Sequence, residues 1–348
     1  MGQWMIYGAN GYTGRMVLKE AVRRGMQPIV AGRNPQAVAE LAQQYGLAAR
    51  AFDLSDGATA SSALSGIPLV LHCAGPFSET CAPMLEACLA SGTHYLDITG
   101  EIDVFRHCHQ QHERARERGI VVLPGSGFDV VPTDCLAAML ARELPDARQL
   151  TLCFEAGGGP SPGTAKTSVE GMSRGGRIRR DGQLVDVPLA YKTRDYERDG
   201  EIRSAVTIPW GDVYTSYVST GIPNVEVYMV VPRKTIARLE RLRSFQWLLG
   251  LGPVKRFMKS QAGKLAGPSE EKRGKTFSHI WGEVVHASGK SLSLELRTPN
   301  GYELTVTAAL GIAEHVLEHK PAGGYYTPSK LMGPDYVLEL PGVKLIRR

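Results

Sequence analysis

The segment Tyr7–Gly14, reading YGANGYTG, constrains this chain more than any other. It follows a short apolar run, Trp4–Tyr7, and opens an amphipathic stretch over residues 12–25. There Val17, Leu18, Ala21 and Val22 share one face, and Arg15, Lys19 and Arg23 the other. A strand running through glycines at 8, 11 and 14 into a helix is a variant of the dinucleotide-binding fingerprint. Gly8 allows the tight turn after the strand. Gly11 removes a Cβ where backbone amides must touch a diphosphate, and Gly14 lets the helix pack on the strand. The helix N-terminus adds partial positive charge. Gly8, Asn10, Gly11, Tyr12, Thr13 and Gly14 are therefore candidate cofactor contacts.

The first third of the chain repeats the same alternation. Apolar runs at Trp4–Tyr7, Pro28–Ala31, Ala51–Asp53, Leu69–Cys73, Tyr95–Ile98 and Ile120–Leu123 are separated by helical stretches. Nearly all-apolar runs are expected of strands buried on both faces, so the fold class is α/β, beginning with a Rossmann doubly wound parallel sheet. After about residue 145 the texture changes to alternating segments: Gln149–Glu155, Leu184–Val187, Val225–Val231, His279–His286, Ser291–Arg297 and Tyr302–Ala308. These predict a second α+β domain with a mainly antiparallel sheet and a long insertion over 157–220. The expected division is 1–140, 141–308 and a C-terminal tail, 309–348. A chain of 348 residues is long enough for two cores.

The end of the second strand bears on cofactor choice. An NAD site usually places Asp or Glu there for the ribose 2′-hydroxyl. Here Arg33 stands, followed by Asn34, and a guanidinium suits a 2′-phosphate. NADP(H) is therefore favoured over NAD(H). Asp53 after the third strand and Ala74, Gly75, Pro76 and Phe77 after the fourth extend the candidate cofactor site, since ligands of such sheets lie beyond the carboxyl ends of the strands.

These landmarks together resemble the saccharopine dehydrogenase-like oxidoreductases, a family that includes trans-acting enoyl reductases. The resemblance rests on GANGYTG, AGR, CAGPF, ACLASGTHYLDITGE, GSGFDVVPTD and the late GGYYTPSKLMG. It is specific over residues 2–140, thin over 150–300, and returns near 301–334. It implies NAD(P)(H) use, a second α/β domain after the Rossmann domain, and a C-terminal tail that returns to the first domain. It also implies cofactor contacts at Gly8, Gly11, Gly14, Arg33 and Ala74–Phe77. One departure stands out. Reductases of saccharopine itself resemble GFDPG after the sixth strand, where this chain reads Gly127-Phe128-Asp129-Val130-Val131. That points away from saccharopine and toward the enoyl reductases and other relatives.

Reduction of a C=C (enoyl) or C=N bond needs a proton source beside the hydride. Asp129 is the leading catalytic candidate, with Thr133, His72, Glu101 and Tyr95 behind it. Hydride transfer is expected at the cleft between the two domains. Lys166, Arg174 and Arg177 in the insertion are candidate anion clamps. The alternative is a non-catalytic NADP(H)-binding scaffold or sensor. No metal is expected. His315, Glu318 and His319 match an HxxEH pattern but lack a third ligand. His107, Cys108, His109 and His112 read as a wet helix face. Tyr326 and Lys330 mimic a YxxxK pair interrupted by Pro328.

A small-molecule or acyl substrate is the expected partner. A net charge of +5 does not call for nucleic acid. Homodimerisation and a peripheral membrane contact through the apolar stretch 244–258 are left open. Six cysteines without a CxxC pair, and a first strand that starts at once, fit a cytoplasmic protein.

Overall fold

The computed structural model describes residues 3–172, 175–245 and 251–347. The chain divides into two compact units, Met1–Val131 with Tyr302–Met332, and Pro132–Gly301 with Gly333–Arg348. These borders fall several residues before the 140 and 308 read from texture. Of the expected tail, residues up to Met332 group with the first unit and Gly333–Arg348 with the second. Elements are numbered along the chain.

The first unit alternates strand and helix: β1 Met5–Tyr7, α1 Tyr12–Arg23, β2 Ile29–Gly32, α2 Pro35–Tyr45, β3 Ala49–Ala51, α3 Gly57–Ala63, β4 Leu69–His72 and α4 Phe77–Ser91. It continues with β5 His94–Asp97, α5 Ile102–Gln110, α6 His112–Glu117 and β6 Val121–Leu123. All pairings are parallel, in the order β3-β2-β1-β4-β5-β6. The order reverses between β1 and β4, where Tyr7 lies opposite His72. Such a switch point leaves a crevice at the carboxyl ends of the strands. Strands β1, β2, β4 and β6 are wholly buried, as their apolar composition predicts. α1 turns Gly14, Val17, Leu18 and Ala21 inward.

Late in the chain, α13 (Gly301–His319), β15 (Gly324–Tyr325) and α14 (Pro328–Met332) join this unit. β15 adds a seventh parallel strand beside β6. The expected strand Tyr302–Ala308 is instead the first two turns of α13. Its alternation of Tyr, Leu, Val and Ala with polar residues mimics period two. The segment buries Leu304, Thr305, Val306 and Ala308 together, then Ala309, Ile312, Ala313 and Val316 at helical spacing.

The second unit starts with α7 (Val131–Glu143) and β7 (Ala147–Glu155). The expected insertion supplies α8 (Pro162–Met172), hairpins β8 (Gly176–Arg180) with β9 (Gln183–Val187) and β10 (Thr193–Arg198) with β11 (Glu201–Thr207), and α9 (Asp212–Thr220). There follow β12 (Asn224–Val230), α10 (Arg233–Leu242), a short 3-10 turn (Arg243–Phe245), α11 (Gly252–Ala262), α12 (Glu270–Lys275), β13 (Phe277–His286) and β14 (Ser291–Pro299). The chain closes with α15 (Tyr336–Glu339) and β16 (Lys344–Arg347).

The sheet runs β10-β11-β12-β7-β13-β14-β16 and is antiparallel except for β12 with β7. One face carries Leu150, Leu152, Val225, Val227, Ile280 and Val284, all buried. Gly282 lets α7 approach it: a Cβ there would lie 2.7 Å from Leu140 Cδ1. The other face is polar and aromatic. The β10–β11 hairpin ties to it through Arg194–Glu283 at 2.7 Å and Arg198–Glu155 at 2.5 Å. Among the described residues no helix is long and apolar enough to cross a membrane.

Candidate functional site

The glycines of the first turn do different things. Gly8 sits at φ +80°, and a Cβ on it would come within 2.8 Å of Ala74 N and Cβ. Its N–H and that of Ala9 both donate to Ala31 O, at 2.8 and 3.1 Å. The turn is thus locked between β2 and the loop after β4. Gly14 is required by packing, since a Cβ would fall 2.3 Å from Gly8 O. Gly11 is another matter. Its backbone is extended, at φ −75° and ψ 171°, and an added Cβ would meet only Gly8 O, at 3.2 Å. That contact is tight but milder than those at Gly8 and Gly14, and the same Gly8 oxygen accepts from the Gly11 amide at 3.0 Å. No side chain caps α1 and its first turn holds no acidic residue. Helix amides left in this state favour an anion.

Neighbouring candidates frame this turn. Asn10 Oδ1 lies 3.2 Å from where a Gly32 Cβ would be, so the bare end of β2 makes room for it. The Tyr12 ring meets Tyr302 edge-on at 5.0 Å. Thr13 and Gly14 complete the first turn of α1. Asn34 is committed to structure: its Oδ1 accepts from Ala37 N at 3.1 Å, capping α2 ahead of Pro35.

Arg33 is exposed and makes no ion pair among the described residues. Its charge nonetheless reaches its neighbours. Asp53 is held below the usual carboxylate range by the Ser55 amide at 2.8 Å, with Arg33 as a lesser cause. Burial pushes the Tyr7 phenol up to about 12, with Asp53 adding to the shift and Arg33 opposing it. Arg33, Asp53 and Tyr7 therefore share one electrostatic neighbourhood beyond β1, β2 and β3.

The loop after β4 is held from two sides. Thr80 Oγ1 donates to Ala74 O at 2.7 Å. The amides of Phe77 and Ser78 donate to the two Glu101 oxygens, each at 3.0 Å. Glu101, a candidate proton source from sequence, is thus the cap of α4. His72 is a core histidine. Its Nε2 faces Thr80 Oγ1 at 3.0 Å and its ring lies among Tyr7, Phe77 and Tyr95. Burial pushes its pKa down to about 3, so it stays neutral.

Beyond β5 and β6 the carboxylates divide their roles. Asp97 accepts from Tyr95 Oη at 2.6 Å and from the amides of Thr99 and Gly125, each at 2.9 Å. It staples the two strand ends together, and Tyr95 is spent on it. Burial pushes Asp97 up to about 6 against these hydrogen bonds.

Asp129 has no hydrogen-bond partner for its carboxyl among the described residues. It lies over Gly100, where a Cβ would sit 2.9 Å from its Oδ2. Burial alone pushes it up to about 7. The loop carrying it is braced by Thr305 of α13, whose Oγ1 accepts from Phe128 N at 2.9 Å and whose methyl faces bare Gly127. Sequence reading missed Thr305 because it placed that segment in a strand. Nothing local links it to Phe128, 177 residues away.

The structure thus brings Gly8, Asn10, Gly11, Tyr12, Thr13, Gly14, Arg33, Asn34, Asp53, Ala74, Gly75, Pro76, Phe77 and Asp129 to the carboxyl ends of the strands of one sheet. Other candidates fall elsewhere. Thr133 is buried in α7. Lys166 lies on α8, Arg177 pairs with Asp186 at 2.7 Å, and Arg174 is outside the described residues. His109 stacks on Tyr325, and His112 Nδ1 accepts from its amide at 3.1 Å, so both hold β15 in place. Cys108 is buried, its Sγ 3.5 Å from that of Cys81. Tyr326 donates to Ala322 O. His315 and His319 stack on each other, and no group of three metal-ligating side chains occurs among the described residues.

A switch-point crevice, a glycine turn shaped for a diphosphate and an arginine in place of the ribose-binding acid define a Rossmann dinucleotide-binding protein. Comparison with known proteins narrows this. Residues 4–123 match the family described as saccharopine dehydrogenase NADP binding domain. The chain is 32% identical over 152 residues to a saccharopine dehydrogenase-like oxidoreductase of Rattus norvegicus, covering 38% of this chain and 35% of that protein. It is 29% identical over 185 residues to a protein of Mycobacterium tuberculosis named "putative trans-acting enoyl reductase", covering 49% and 44%. The matched region thus spans between about a third and a half of these curated relatives. The fold is that of saccharopine dehydrogenase (L-Glu forming) from Saccharomyces cerevisiae, with TM-score 0.66 at 11% identity over 99% of this chain and 100% of that one.

Proposed function

We propose that this protein is an NADP(H)-dependent oxidoreductase that reduces a C=C (enoyl) or C=N bond, with Asp129 as proton source. The observation that carries the cofactor reading is Gly11, bare at a backbone conformation any residue adopts, at the mouth of an uncapped α1. The residues fit the group. Gly8–Gly14 would hold the diphosphate, Arg33 the 2′-phosphate, Asp53 the adenosine side, and Ala74–Phe77 the nicotinamide ribose side. When bound, NADPH supplies a hydride.

The chain must then supply one proton so that the reduced bond ends as C–H and C–H, or C–H and N–H. Asp129 suits this because its carboxyl is committed to no other group and titrates near neutrality. Glu101, His72, Tyr95 and Asp97 are occupied by structure. The enoyl choice is supported by the likeness to the trans-acting enoyl reductase and by Val130-Val131 after Asp129.

The test combines NADPH fluorescence with turnover on enoyl thioesters and cyclic imines. The expected result is binding, turnover on one class, and a reductive rate that falls as pH rises through about 7. Asp129→Asn should keep cofactor affinity and lose at least about a hundredfold in kcat. Binding without turnover on either class would favour a cofactor-bound scaffold or sensor.

A further inference from the structure

The stretch Arg233–Lys275 holds twelve Lys and Arg against Glu240, Glu270 and Glu271, a net +9 in a chain whose total is +5. Some of these cations have structural duties. Arg233 pairs with Asp195, Arg243 donates to the carbonyls of Leu189 and Ala190, and Lys275 pairs with Glu271. Lys234, Arg238 and Arg241 on α10 have no such partner among the described residues. Neither have Lys255, Arg256 and Lys264 on or just after α11.

The same region exposes large apolar side chains. Phe257 is 66% exposed, Leu251 45%, Leu265 44% and Leu242 36%. On α11 the residues Pro253, Arg256, Phe257 and Ser260 are exposed at spacings of three and four, which puts them on one face, and Lys264 is exposed just beyond its end. Val254, Met258 and Ala262 turn the other way, and α11 packs against α8. An isolated exposed leucine needs no explanation. Here Phe257 and its flanking leucines alternate with unpaired cations along a helix of 11 residues, far too short to cross a bilayer.

We propose that the outer face of α11 seats this protein on the surface of an anionic lipid bilayer. Phe257, Leu251 and Leu265 enter the boundary between headgroups and acyl chains, and Arg256 and Lys264 meet lipid phosphates. The α10 cations add to the attraction. A nucleic acid or acidic protein would satisfy the charges but leave the aliphatic side chains without a hydrocarbon phase. A neutral apolar partner would leave the cations desolvated and unpaired.

The full-length protein is sedimented with vesicles of phosphatidylcholine alone, or with about 30% phosphatidylglycerol added. Binding is expected only to the anionic vesicles at about 0.1 M salt, weakening at least about tenfold at about 0.5 M. Phe257→Ser should weaken it about fivefold or more, and Arg256→Glu with Lys264→Glu about tenfold or more. NADPH affinity and thermal midpoint, read in parallel, should stay at wild-type values. Failure to sediment with anionic vesicles, or equal sedimentation with neutral ones, overturns the proposal. So does wild-type vesicle binding by Phe257→Ser, which would make the surface a general polyanion site.

Discussion

Asp129 illustrates how one residue can be costly to the fold and useful to the chemistry. Its carboxyl titrates near 7 when folded and near ~3.9 when unfolded, so the folded state binds the proton more tightly. Its contribution is therefore fully favourable below about pH 4 and is lost as pH rises to about 7. Asparagine has no such loss. Asp129→Asn should unfold at higher urea concentration than wild type at pH 8, by roughly 2–4 kcal/mol, and by much less at pH 4. Equal stability at both pH values would mean the carboxyl is already ionised in the folded protein. Arg33 belongs to the same scale. With no ion pair of its own to lose, Arg33→Asp should weaken NADPH about thirtyfold or more and NADH less than about threefold. Parallel losses for both cofactors, measured by fluorescence titration, would remove Arg33 as the reader of the 2′-phosphate.

At the scale of elements, the fingerprint was legible because its demands are local. Gly8 and Gly14 are fixed by contacts within or beside one strand-turn-helix unit, and their spacing alone announces it. What was illegible is whatever depends on partners far along the chain. Glu101 reads as a free acid at a strand end until the amides of Phe77 and Ser78, over twenty residues earlier, are seen to claim both oxygens. The opening of α13 was misread for a similar reason. Seven residues of alternating polarity satisfy a strand as well as a helix, and burial over several faces by tertiary packing decided the matter. If Glu101 is a cap and nothing more, Glu101→Ala should cost about 1–2 kcal/mol in urea unfolding. Glu101→Gln should leave the pH limb near 7 in place. Loss of that limb in Glu101→Gln with stability unchanged would transfer the proton-donor role from Asp129.

At the scale of the whole molecule, the alternation of apolar runs and amphipathic helices predicted the doubly wound sheet, and a later change of texture predicted a second sheet. The parallel β12–β7 pairing and the addition of β15 to the first sheet were not readable, because strand neighbours separated by long connections leave no local trace. The family match over residues 4–123 lies within the first unit, which is where the sequence carries specific motifs. The 246–250 part of the expected membrane stretch lies outside the described residues. The surface now implicated is α11 and its flanks.

The central claim is that the amides of the first turn grip a dinucleotide diphosphate where Gly11 leaves them bare. Isothermal titration of NADPH into wild type and Gly11→Val tests it most directly. The expected outcome is a saturable exothermic isotherm for wild type and a loss of at least about a hundredfold in affinity for Gly11→Val, with the thermal midpoint of the ligand-free variant nearly unchanged. Wild-type affinity in a folded Gly11→Val, or no heat with wild type at saturating NADPH, would contradict it.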